Sequence, residues 1–184
     1  MQIHTLPMVQ DTVRLDHSDL IEIYEQYSPR LFRYAVRLLN DADLAEECVA
    51  ETFSRFLQAL KKGGGPQDNI QAYLYRVAHN WINDIYRSRP LEELEPELED
   101  DKLESPLTVV ADNQQREIIR KALFHLTAEQ RQVITLRFYE EWPHEEIGAM
   151  IGKTAQATRA LQHRALEALR RMLLEQEEYN ETTR

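Results

Sequence analysis

Gln156 and Arg159 lie about one helical turn apart in the stretch from Thr154 to Leu173. Both side chain types can grip a base edge with paired hydrogen bonds, Gln on adenine and Arg on guanine. The 3.6-residue period of this stretch puts Thr158, Leu161, Ala165, Leu169, Met172 and Leu173 on one side and Gln156, Arg159, Ala160, His163, Glu167 and Arg170 on the other. The first set packs and the second is free to read. Lys153, Arg164 and Arg171 flank the readers and suit phosphates, and Thr154 is the expected N-cap. An apolar helix ending at Glu141, a short helix from Pro143 to Ile151 and a turn at Gly152-Lys153 precede the long helix. Residues 129–173 therefore read as a helix-turn-helix whose last helix enters the major groove. The competing reading of the same pattern is a helical hairpin with a solvated charged face.

A second chemical segment runs from Asn69 to Ser88. Ile70, Tyr73, Leu74, Val77, Trp81 and Ile85 form its apolar stripe, while Tyr75, Arg76, His79, Asn80, Asn83, Tyr86 and Arg87 share the outer surface. Aromatic platforms beside cations are what unpaired bases and their phosphates need, although a plain solvated face fits the segment alone. Asp84 falls toward the packed side, where an ion pair or a cap is expected.

Two further stripes support this helix. Leu20, Tyr24, Tyr27, Leu31, Ala35 and Leu38 make one, with a bend or restart expected at Ser28-Pro29. Leu44, Cys48, Phe53, Phe56 and Leu60 make the other, with Asp41 as its cap and Cys48 as a small core residue. Three such helices close a small bundle.

Catalysis finds no support in the sequence. His125, His144 and His163 have no ligand partner at a recognisable metal spacing, so neither a catalytic set nor a metal or cofactor site is expected. The net charge of −10 looks wrong for a DNA binder until it is partitioned. Residues 1–90 carry 10 basic and 12 acidic groups, 91–112 carry 1 and 9, 113–173 carry 10 and 7, and 174–184 carry 1 and 4. The contributions are −2, −8, +3 and −3. Most of the negative charge thus sits in a Pro-containing connector and a tail, and the helix-turn-helix segment is mildly basic.

The chain divides into an N-terminal extension (1–18), a helical domain (19–90), an acidic linker (91–112), a helix-turn-helix domain (113–173) and an acidic tail (174–184). The expected fold class is all-α: two small helical domains joined by a flexible acidic linker. No stretch approaches a membrane span, and the amino terminus lacks the basic-then-apolar order of a signal peptide. A cytoplasmic protein without membrane insertion is expected.

Together these segments resemble the extracytoplasmic-function sigma factors of bacterial RNA polymerase, in the sigma-70 superfamily. Ala45-Glu46-Glu47-Cys48-Val49-Ala50-Glu51-Thr52-Phe53 is similar to the family's core-binding signature. Ala72-Tyr73-Leu74-Tyr75-Arg76-Val77-Ala78-His79-Asn80 and Asp84-Ile85-Tyr86-Arg87 are similar to its promoter-melting helix. Leu126-Thr127-Ala128-Glu129-Gln130-Arg131, Glu145-Glu146-Ile147-Gly148, Gly152 and Gln162-His163-Arg164-Ala165-Leu166 are similar to its promoter-reading domain.

The resemblance implies core RNA polymerase (clamp and flap) and promoter DNA as partners and leaves room for an anti-sigma factor. It puts Glu46, Glu47, Glu51 and Phe53 at the clamp, and Tyr73, Arg76, Asn80, Asn83 and Arg87 at the melted minus-ten strand. Lys153, Thr154, Gln156, Arg159, Ala160, His163 and Arg164 fall at the minus-thirty-five duplex, and residues Lys61 to Gln67 where the family places a base-capturing loop. A stand-alone helix-turn-helix regulator is the alternative, and the acidic balance argues against it.

Five positions depart from the family's usual residues: Tyr73 for Trp, His79 for Arg, Thr127 for Pro, Gly148 for Ala and Thr158 for Val. On propensity alone Gly148 weakens its helix by up to about 1 kcal/mol relative to Ala. Loss of the cation at His79 should weaken phosphate attraction near neutral pH.

Overall fold

The computed structural model describes residues 15–66, 69–88 and 111–182, which form seven α-helices and one π-helical segment, with no strand among the described residues. Helix α1 (His17–Leu39) begins at a capping box. The Asp16 carboxylate accepts from the Ser18 and Asp19 N–H groups, and the Asp19 carboxylate accepts from the Asp16 N–H at 2.8 Å. It ends at Asn40, which takes the left-handed conformation (φ 56°) common at helix C-termini. Of the bend or restart expected at Ser28-Pro29, the restart does not occur: α1 runs unbroken through Pro29. Pro29 withdraws only the hydrogen bond to the Glu25 carbonyl, and both residues are exposed, so water can serve that carbonyl while buried Leu31, Tyr34 and Leu38 hold the helix on its course.

Helix α2 (Ala42–Lys61) starts where Asp41 accepts from the Leu44 N–H at 2.8 Å, as its position as a cap predicts. Helix α3 (Ile70–Ser88) starts where Asn69 accepts from the Ala72 N–H at 2.9 Å. The three helices enclose Leu31, Leu38, Phe56, Leu74, Ala78 and Ile82. Cys48 lies wholly inside this core, where burial pushes its thiol up to about 12, so it packs rather than reacts.

The second domain holds α4 (Ala111–Phe124), α5 (Ala128–Ile134), a π segment (Thr135–Tyr139), α6 (His144–Ile151) and α7 (Ala155–Thr182). Thr127 stands where the family favours Pro and starts α5 by other means. Its hydroxyl accepts from the Gln130 N–H (3.3 Å), while the Gln130 side chain accepts from the Thr127 N–H (3.1 Å).

Gly148 requires a correction. The α6–α7 turn runs through Gly152 (φ 71°) and folds back so closely that a Cβ on Gly148 would stand 2.5 Å from the Lys153 carbonyl oxygen. The glycine admits the turn, and that close approach outweighs the propensity lost within α6.

The two domains share one continuous core. Tyr75 of α3 packs on Trp142 with ring centroids 5.1 Å apart, and buried Val133, Leu136, Ile147 and Met150 extend the apolar cluster of the first bundle. Arg131 of α5 spans the junction at 0% exposure. It donates to the carbonyls of Leu123 (3.0 Å), Phe124 (2.9 Å), Leu126 (3.3 Å) and Leu38 (2.8 Å), and its guanidinium lies 4.0 Å from the Phe124 ring centroid. Leu38, Leu123 and Phe124 are in the last turns of α1 and α4, so the negative ends of two helices offset a cation that has no carboxylate partner among the described residues.

Candidate nucleic-acid interface

Helix α7 divides as its period requires. Thr158, Leu161 and Ala165 are buried, whereas Gln156, Arg159, Ala160, His163 and Arg164 are exposed. Thr154 caps the helix, its hydroxyl accepting from the Ala157 N–H at 3.1 Å. Thr158, at an expected apolar position, uses its hydroxyl to donate to the Ala155 carbonyl (2.8 Å) and to reach the His144 carbonyl (3.2 Å), which ties α7 to the start of α6. Two of the reading cations are held by carboxylates. Arg159 bonds Glu145 of α6 at 2.7 Å, and Lys153 pairs with Glu129 of α5 at 2.8 Å. His163 lies 3.4 Å from Glu167. Each of these pairs is open to solvent, with Lys153 half-buried, and weak enough for a phosphate or base edge to replace it.

On α3 the structure separates residues that the period groups together. Arg76, Asn80 and Arg87 are exposed, and Arg87 pairs with Asp84 at 3.3 Å. Asp84 points to solvent, with 61% of its side chain exposed, and not toward the packed side. Tyr73 is half-buried against Phe56, with ring centroids 5.9 Å apart. Asn83 is half-buried and engaged by the second domain. Its Oδ1 accepts from Gln132 Nε2 at 2.9 Å, and its Nδ2 meets His79 Nε2 at 2.9 Å.

Tyr75, His79 and Tyr86 were expected on the outer surface, yet Tyr75 and His79 are buried, and half-buried Tyr86 donates its hydroxyl to the Leu38 carbonyl at 2.6 Å. The cause is a second packing partner: α3 lies between its own bundle and the second domain, so more of its circumference is covered than one amphipathic stripe accounts for. His79 cannot meet phosphate from there, whatever its charge.

Burial pulls His79 from its ordinary 6.5 to about 4. Above pH 6.5 the ring is neutral in both folded and unfolded chains and adds no pH dependence. Below it the unfolded chain takes up a proton that the folded chain refuses, so stability falls until about pH 4. The full difference costs about 3 kcal/mol. Denaturant melts of the wild type and His79→Gln at pH 7, 5.5 and 4 should show the wild type losing the greater stability, and parallel losses would remove His79 as the cause.

Helix α2 presents Glu46 and Glu47 to solvent. Glu51 is half-buried and pairs with Arg55 at 2.6 Å. Phe53, only 7% exposed, packs against Tyr24 with centroids 4.8 Å apart and the rings tilted by 59°. Ile21, Tyr24 and Leu57 expose much of their apolar surface on this bundle, and of these three only Tyr24 belongs to a sequence stripe. In the loop after α2, Gly63 (φ 72°) and Gly65 (φ 118°) take positive φ, whereas Gln67 is outside the described residues. Most of the acidic linker also lies outside them.

Glu140 is the residue that sequence reasoning missed. It follows the π segment with only 5% of its side chain exposed, accepts a hydrogen bond from the Tyr75 hydroxyl, and faces Arg30 at 3.6 Å and Arg37 at 4.0 Å. Burial, and the carboxylate beside it, raise the Tyr75 phenol far above its usual value and keep it a donor. Arg37 also lies over the Tyr139 ring, 4.1 Å from its centroid. Among the described residues no group of three or more His, Cys, Asp or Glu could hold a metal ion, and no helix is long and apolar enough to cross a membrane.

Comparison with known proteins draws these surfaces together. Residues 23–90 match the family model of sigma-70 region 2, and residues 122–171 match that of sigma-70 region 4. The ECF RNA polymerase sigma factor SigL of Mycobacterium tuberculosis is 32% identical over 155 residues, 83% of this chain and 88% of its own. The RNA polymerase sigma-E factor of Streptomyces avermitilis is 32% identical over 165 residues, 85% of this chain and 88% of its own. Among solved structures, the sigma factor RpoE from Bartonella quintana, in complex with the anti-sigma factor NepR, superposes with a TM-score of 0.65 at 20% identity, covering 85% of this chain and 97% of its own. CnrH in complex with the cytosolic domain of CnrY gives 0.66 at 19% identity, over 88% and 92%. At those identities the two structures speak to the fold alone.

Proposed function

The chain belongs to the sigma-70 family, in its extracytoplasmic-function branch, and from that premise we propose which of its surfaces performs each part of transcription initiation. An alternative sigma factor must grip core RNA polymerase and recognise two promoter elements while starting to melt one of them. The observation that carries the assignment is the division of α7, with Thr158, Leu161 and Ala165 packed and Gln156, Arg159, His163 and Arg164 exposed on the opposite side.

In this reading the segment 113–173 binds the minus-thirty-five duplex. Gln156 and Arg159 contact base edges, and Lys153, Thr154, Ala160, His163 and Arg164 lie along the groove and its phosphates. The segment 19–90 takes the minus-ten strand on Tyr73, Arg76, Asn80, Asn83 and Arg87 and the polymerase clamp on Glu46, Glu47, Glu51 and Phe53. Capturing unstacked bases supplies both sequence choice and melting. The second domain would also meet the polymerase flap. The work is done where bacterial RNA polymerase is found, in the cytoplasm, and an anti-sigma factor is a further partner, as NepR is for RpoE. A stand-alone regulator fits less well, because the net charge of −10 leaves little attraction for DNA without polymerase.

Arg159→Ala should cost about 1–3 kcal/mol at one base pair of the upstream element and relax discrimination there, while Arg171→Ala weakens all sequences alike. A substitution library of that element, read with holoenzyme, separates the two. A uniform loss for Arg159→Ala would make it a phosphate contact, and a wild-type response indifferent to the upstream sequence would defeat the promoter assignment.

A further inference from the structure

We propose that Glu145, at the start of α6, determines specificity at the upstream element: its carboxylate aims Arg159 at a base edge and penalises the use of Arg159 on a phosphate. The inference rests on the promoter reading above and deepens it. Arg159 Nη2 donates to Glu145 Oε1 at 2.7 Å, with both side chains more than half exposed. Nη2 alone is engaged among the described residues, which leaves Nε, Nη1 and the second N–H of Nη2 for a base. Guanine needs two of these donors, so the pair can persist while the base is read.

An arginine free in solvent samples many rotamers, and ordering it on binding opposes the contact. Here a neighbouring helix supplies the order beforehand. Thr158 Oγ1 lies 3.2 Å from the His144 carbonyl, which ties the residue before Arg159 to the residue before Glu145. Gly148 lets the α6–α7 turn close where a Cβ would meet the Lys153 carbonyl. A hydrogen bond from its own backbone N–H, and then Arg159 itself, hold the Glu145 carboxyl below its usual range, so it is ionised at neutral pH.

The same carboxylate works against phosphate. Pro143 precedes α6 with no side-chain cap, and Glu145 and Glu146 stand in its first turn. In a helix-turn-helix the first helix crosses the DNA backbone, where free N–H groups at its start would favour phosphate. Carboxylates there suit the helix dipole and repel phosphate. A non-cognate duplex offers Arg159 phosphates in place of the right base edge. Taking one breaks the pair with Glu145, whereas reading the right base keeps it, so even a weak pair separates the two outcomes. Lys153 and Glu129 provide the internal comparison. An ammonium is a point charge without a directed fork, so that pair lowers general affinity and aims nothing.

The test measures binding of holoenzyme carrying the full chain to promoter duplexes in which each base pair of the upstream element is substituted in turn. Glu145→Gln keeps the length and removes the charge. It should lower discrimination roughly threefold to fivefold at the base pair that responds to Arg159→Ala, while non-cognate duplexes bind more tightly. Non-cognate binding should also become more salt-dependent, by the release of about one further counterion, because Arg159 is then free for a phosphate. Glu145→Asp carries its charge on a shorter arm and should lower discrimination without that gain in non-cognate affinity. Glu129→Gln should raise binding to every duplex and leave discrimination unchanged. Circular dichroism melts check that the variants fold.

In an Arg159→Ala background Glu145→Gln should change discrimination no further, since it acts through Arg159. An equal loss of discrimination in that background would overturn the proposal. Unchanged or higher discrimination for Glu145→Gln, beside an intact effect of Arg159→Ala, would overturn it while leaving the promoter reading in place. Should Arg159→Ala itself weaken all duplexes alike, the base-reading assignment falls and the proposal with it.

Discussion

Arg131→Met should cost the protein about 3–5 kcal/mol, enough to unfold the helix-turn-helix domain under conditions where the wild type is fully folded. The guanidinium is wholly buried and donates to four carbonyls, from Leu123, Phe124, Leu126 and Leu38, of which Leu38 also accepts from the Tyr86 hydroxyl and Leu123 from the Leu126 N–H. Methionine fills a similar volume but leaves the Phe124 and Leu126 oxygens without this donor, removes one of two donors from Leu38 and Leu123, and so adds the desolvation of unmade hydrogen bonds beside the end of α4. Arg131→Lys keeps the charge but cannot span four acceptors with one ammonium, so an intermediate loss is expected. Urea denaturation followed by helix content measures all three proteins. A loss below about 1 kcal/mol for Arg131→Met would mean that water replaces the guanidinium and that it does not staple the junction.

Glu47→Lys should abolish association with core polymerase while leaving the helices intact. Glu47 is exposed on α2 beside Glu46, on the same bundle as exposed Ile21, Tyr24 and Leu57. Surfaces of that kind bind through an apolar centre and choose their partner by charge at the rim, and a reversed charge there is both a lost attraction and a new repulsion. Because the side chain is solvated, the substitution should leave stability within about 0.5 kcal/mol. Co-purification on tagged core reads the effect. Wild-type recovery of the variant would move the clamp contact elsewhere.

Local rules reached the features that local periods control. The packed and free sides of α7, the cap at Thr154, the start of α2 at Asp41 and the turn at Gly152 all follow from spacing within one helix or one turn. The misses share a different cause. Tyr75 and Glu140 are 65 residues apart and Arg131 and Leu38 are 93 apart, so no window over the sequence contains both partners. Tyr75 and His79 looked external because a single stripe accounts for one neighbour, and α3 has two. Pro29 and Gly148 show tertiary context overriding propensity, in the first case because the helix is held by its buried side and in the second because the turn needs the space. The departures at Thr127 and Thr158 are compensated in the fold by hydroxyl bonds that a family pattern alone does not reveal.

The central claim, that this chain directs polymerase to promoters, is tested most directly by adding the purified full-length protein to bare core enzyme on a library of promoter templates. Transcripts should appear that depend on the protein and vanish when either the upstream or the minus-ten element of the selected template is scrambled. They should also vanish with Glu47→Lys. Failure to support any protein-dependent transcript, with tight binding of a palindromic duplex by a dimer in the absence of core, would contradict the account and establish a stand-alone regulator.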